Sequence, residues 1–88
     1  MGDLMTRQFS PPLRNVAAIT VEGNTATLHR MGDHRITVDL PNDPDRPTVS
    51  FTSPFTLTVS SVHVEAENLV LTMPNGGTAK FTMKNKQQ

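Results

Sequence analysis

Between Phe55 and Met73 the apolar side chains fall into three triplets, Phe55-Leu57-Val59, Val62-Val64-Ala66 and Leu69-Leu71-Met73, and each triplet starts seven residues after the one before it. Inside a triplet the apolar positions are i, i+2 and i+4, the period of a pleated strand whose side chains point to opposite faces in turn. A coiled coil would place them at a and d instead, and the Thr and Val that dominate here suit strands. The segment reads as short strands joined at Ser60-Ser61 and Glu67-Asn68. Neither pair supplies the glycine that the positive φ of a tight hairpin favours. That points to a chain that winds, as in a β-helix or β-prism, over one that folds back on itself.

The rest of the chain is also of period two. Residues 1–14 end in Ser10-Pro11-Pro12-Leu13-Arg14, and two prolines remove backbone donors, so neither a helix nor a central strand can run through them and the stretch reads as an extended N-terminal arm. From Asn15, the residues Ala17, Ile19 and Val21 alternate with Val16, Ala18 and Thr20, and Gly23-Asn24 is a two-residue hairpin signal. That turn sets Val21 opposite Ala26 and Ile19 opposite Leu28. A reversal at Gly32-Asp33-His34 leads into Ile36, Val38 and Leu40 and sets Leu28 opposite Val38. Residues 15–52 thus form an antiparallel meander that carries an acidic, Pro-rich loop at 41–47. Residues 53–84 hold the triplets, the turn Pro74-Asn75-Gly76-Gly77 and a last strand with Ala79, Phe81 and Met83; residues 85–88 are a polar tail. No segment has helical periodicity, and the fold class is all-β.

Composition narrows the setting. The chain has 88 residues, a formal net charge of zero, no Cys and only four Phe as aromatics, so one copy would bury a thin core. Oligomerisation would remedy that. Arg7, Arg14, Arg30, Arg35 and Arg46 are dispersed along the sequence and no aromatic residues interleave with them, which argues against a nucleic-acid surface. Met1 to Arg7 has neither a basic n-region nor an apolar h-region, so the expectation is a chain made in the cytoplasm with no signal peptide.

The run from Ser53-Pro54-Phe55-Thr56-Leu57-Thr58-Val59 to Val62-His63-Val64-Glu65-Ala66-Glu67-Asn68-Leu69-Val70-Leu71-Thr72 resembles the intertwined β-helical part of the membrane-puncturing spikes of contractile phage tails and type VI secretion systems. The resemblance implies a homotrimeric virion protein of the tail baseplate. Its rigid needle would act mechanically on the cell envelope and be held by a baseplate hub protein, with the meander as a reduced OB-type barrel. It also implies a trimer core built from Phe55, Leu57, Val59, Val62, Val64, Ala66, Leu69, Leu71, Met73, Ala79, Phe81 and Met83. Family tips often hold iron through a His-x-His pair, and His29, His34 and His63 are not so spaced, so no cofactor is expected. A second likeness, of Val64 to Leu71 followed by Pro74-Asn75-Gly76-Gly77, is to the repeat of periplasmic lipopolysaccharide-transport bridge proteins. It implies a small β-sandwich that binds an apolar ligand or a partner protein.

Few residues suggest chemistry. His29, Asp33 and His34 cluster around a reversal, which makes the two histidines the candidates for a metal, set against a reading in which they only build the turn. Asp39, Asp43 and Asp45 lack the glycine and terminal Glu of a calcium loop. Nucleophile elbows, phosphate loops and paired carboxylates are absent from the sequence, and the chain does not read as an enzyme.

Overall fold

In the computed structural model, which describes residues 7–83, the chain forms six antiparallel strands: β1 (Arg7–Glu22), β2 (Thr25–Arg30), β3 (His34–Asp39), β4 (Val49–Glu65), β5 (Asn68–Thr72) and β6 (Thr78–Thr82). They make one sheet in the order β3-β2-β1-β4-β5-β6. The described residues contain no helix.

The first hairpin follows directly from its sequence. Gly23 takes φ +64° as the first turn residue, and Val21 pairs with Ala26 and Ile19 with Leu28. All four side chains are buried. The second reversal falls one residue earlier than the sequence suggests, at Met31-Gly32-Asp33, so Leu28 pairs with Ile36 and Ala26 with Val38. The slip amounts to two positions in register, which keeps the same face inward.

The second half departs from the winding reading. Ser60-Ser61 is no connection: β4 runs straight through it, and the first two triplets lie on this one strand. The next connection is Ala66-Glu67, not Glu67-Asn68, with Glu65 paired to Asn68 and Ala66 at φ +57°. A hairpin forms without glycine because Ala66 accepts the left-handed conformation. The N-terminal stretch differs too. Arg7 and Gln8 pair with Val62 and Ser61, Leu13 pairs with Val59 and is buried, and the strand resumes on either side of the prolines. Residues 1–6 of the expected arm and the tail at 85–88 lie outside the described residues.

The halves repeat each other. Every element of β4-β5-β6 matches one of β1-β2-β3 at a constant offset of 43 positions, Glu22 falling on Glu65. Ser10-Pro11 falls on Ser53-Pro54, Val16 on Val59, Val21 on Val64 and Leu28 on Leu71. The hydrogen bonds follow: Leu40 N–H donates to the Asn24 carbonyl at 2.8 Å, and Met83 N–H donates to the Glu67 carbonyl at 2.8 Å. The irregularities repeat as well. Between the pairs Gln8↔Ser61 and Leu13↔Val59, residues 9–12 stand opposite Ser60 alone; between Val16↔Leu57 and Ala18↔Thr52, residues 53–56 stand opposite Ala17 alone. Each Ser-Pro pair therefore sits in a bulge, where a proline costs no ladder bond. Opposite each bulge lies a small pair, Ala17-Ala18 or Ser60-Ser61, flanked by two buried residues three apart: Val16 and Ile19, or Val59 and Val62. That break in alternation lets each long strand bend while keeping its apolar residues inward.

The two halves of the bent sheet share one core. Leu13, Val16, Ile19, Val21, Ala26, Leu28, Val38 and Leu40 share one hydrophobic cluster with Val59, Val62, Leu69, Leu71 and Met83. The Phe51 and Phe81 rings, from β4 and β6, meet with centroids 4.9 Å apart. Residues 41–47 link the repeats, and Arg46 holds the link by donating to the Gly23 carbonyl at 3.1 Å and the Pro41 carbonyl at 2.9 Å.

Candidate anion-binding site

Two copies of one hairpin in the same chain allow a comparison that isolates what folding requires. The loop end of β5-β6 is built from Thr72, Met73, Pro74, Asn75, Gly76, Gly77 and Thr78, with no charged side chain. At the matching positions the loop end of β2-β3 carries His29, Arg30, Met31, Gly32, Asp33, His34 and Arg35. The neutral version keeps the same strand register, Thr72 pairing with Thr78 as His29 pairs with Arg35, while its turn differs, with Gly76 at positive φ where the first has both Gly32 and Asp33.

Cross-strand pairing brings these side chains together, His29 beside Arg35 and Arg30 beside His34. Such direct neighbours put two cations and two imidazoles at one end of the sheet, around a turn with Gly32 at φ +84° and Asp33 at φ +66°. His29, Arg30, Gly32, Asp33, His34 and Arg35 line a cleft of about 270 Å³. Two of its groups are anchored. Arg30 Nε donates to the Arg14 carbonyl at 2.9 Å, which leaves the terminal nitrogens of its guanidinium available. His29 Nε2 lies 3.1 Å from Thr20 Oγ1, leaving Nδ1 of the ring for another partner. Met31, 61% exposed, stands at the tip.

The two candidate metal ligands, His29 and His34, thus line one cleft with Asp33, but two guanidiniums share it and repel a cation. Among the described residues no group of three or more His, Cys, Asp or Glu side chains is arranged to hold a metal ion. The acidic residues lie elsewhere: Asp39 on β3 beside Thr25, and Asp43 in the link, where its Oδ1 accepts from Asp45 N–H at 3.0 Å and shapes the loop. His63 is half-buried on β4 opposite Val70.

The residues named for a trimer core divide within the single chain. Val59, Val62, Leu69, Leu71 and Met83 are buried in the chain's own core, and Leu57, Val64, Ala79 and Phe81 pack against it. Met73 is half-buried and Ala66 exposed at its turn. Phe55 is 66% exposed, held out on the 53–56 bulge, where its N–H donates to Ser53 Oγ at 3.3 Å and the Ser53 hydroxyl donates to its carbonyl.

Sequence reasoning missed Arg30 and Arg35 because they look dispersed along the chain. Aligning the two repeats would have exposed them as the charged version of a hairpin that also exists uncharged. No family model matches this chain, and no curated protein or solved structure is significantly similar to it.

Proposed function

We propose that this chain is a non-catalytic binding module, a small all-β domain that presents the β2-β3 loop end to a partner bearing anionic groups. One observation carries the reading: of two hairpin ends in matching register, only one is lined with Arg30, Arg35, His29 and His34. Guanidiniums supply both charge and a rigid fork of donors for anionic oxygens. The test is titration of an oligo-glutamate peptide and of a phosphoserine peptide, each followed by fluorescence anisotropy. Saturable binding of either that Arg35→Glu abolishes supports the reading; binding of neither by the wild-type chain, or equal binding by the variant, contradicts it.

The homotrimeric envelope-piercing spike remains a second proposal, favoured by one feature. Phe55 projects from the middle of the longest strand with Pro54 and Thr56 exposed beside it, apolar surface that a neighbouring copy would cover. In that arrangement the chain would assemble with two copies of itself and a hub protein. Sedimentation at micromolar concentration decides: a trimer dispersed by Phe55→Ser supports the spike, and a monomer excludes it.

A further inference from the structure

The cleft at the β2-β3 loop end has a geometry more particular than general positive charge. Side chains alternate between faces along a strand, so the His29–Arg35 pair and the Arg30–His34 pair issue from opposite faces of the hairpin. All four line one cleft at the hairpin end, together with Gly32 and Asp33 of the turn. Donors thus approach a common space from two sides. A planar carboxylate is satisfied by a single guanidinium fork in one plane. Four donor groups around a cleft of about 270 Å³ suit a compact anion with oxygens pointing in several directions and more than one negative charge. From this geometry we infer that the cleft binds a phosphoryl group, as inorganic phosphate or as a phosphate monoester on a partner.

The inference rests on the binding-module reading and names its ligand. The fixed Nε–H···O=C bond from Arg30 to Arg14 aims the outer guanidinium nitrogens and reduces the side-chain freedom lost when an anion arrives. Asp33 is the one acidic side chain in the lining and opposes the anion. A dianion doubles both the attraction to the two arginines and the repulsion from Asp33, and with two positive charges against one negative the net attraction still doubles, which favours phosphate over a carboxylate-bearing peptide.

The experiment is an NMR titration of the full chain with inorganic phosphate, a phosphoserine peptide, the same peptide with glutamate in place of phosphoserine, and zinc. The predicted result is saturable amide shifts confined to residues 29–35 with phosphate and with the phosphoserine peptide. Arg35→Thr, which installs the residue found at the matching position Thr78, should weaken both by about tenfold. Binding of phosphate alone identifies the free ion as the ligand, and tighter binding of the phosphopeptide identifies a modified partner. Equal binding of the glutamate peptide with no response to phosphate overturns the phosphoryl inference and leaves the binding module standing. Silence with every anion overturns both. Shifts at 29–35 with zinc but not phosphate, or phosphate shifts at the neutral end 72–78 as well, also overturn the inference.

Discussion

Ala66 is the residue at which the fold and the chemistry of a side chain disagree most plainly. It holds φ +57° as the first residue of the β4-β5 turn, where the matching position is Gly23 at φ +64°. An L-residue in that region pays roughly 1–2 kcal/mol that glycine avoids. Ala66→Gly is therefore expected to raise stability by about 1 kcal/mol, partly offset by glycine's greater freedom in the unfolded chain. Urea unfolding of the variant checks this: an unchanged or lowered midpoint would mean the turn differs from the one described. Asp33, also in the left-handed region, needs no such relief because a short polar side chain tolerates it better.

At the scale of elements, the decisive feature is the pair of long strands, each carried past a Ser-Pro bulge. Leu13, just beyond Pro11-Pro12, is buried against the core, so the N-terminal stretch is structural where it pairs with β4. Leu13→Ala should cost about 2–4 kcal/mol, seen as a lower denaturation midpoint; a loss under about 0.5 kcal/mol, as at a surface position, would return the stretch to the status of a loose arm. The first hairpin was legible from Gly23-Asn24 and the alternation around it, and so was the all-β class. The path of β4 was not. Strict alternation makes Val59 followed by Val62 look like the end of one strand and the start of another, and only the small Ser60-Ser61 pair opposite a bulge shows how one strand carries both. Likewise a missing glycine hides a hairpin when alanine takes its conformation. The seven-residue spacing of the triplets drew attention to a short period, while the repeat that organises the molecule is the longer one joining Glu22 to Glu65. The charged cleft was invisible for a related reason: its arginines gain meaning only when the two hairpins are superposed.

For the whole molecule, the two repeats supply one core between them. Leu28 and Leu71 occupy matching positions, and both are fully buried in the same cluster. Leu28→Ala and Leu71→Ala should each cost about 2–5 kcal/mol, with one cooperative transition in both variants. Two separate transitions by calorimetry would mean that the repeats fold independently. Because the repeats share one core and differ at their loop ends, the proposed binding role can be tested by exchanging loop-end residues for their counterparts. The triple variant His29→Thr, Arg30→Met, Arg35→Thr places the side chains of Thr72, Met73 and Thr78 on the charged hairpin. The most direct measurement is its thermal unfolding with and without an anionic peptide, oligo-glutamate and the phosphoserine peptide in turn, beside the wild-type chain. The account predicts a midpoint close to wild type without peptide, and a rise on adding peptide in the wild-type chain alone, since a ligand raises the midpoint only of a folded state that binds it. A variant that fails to fold, or one that keeps the peptide-induced rise, would contradict it.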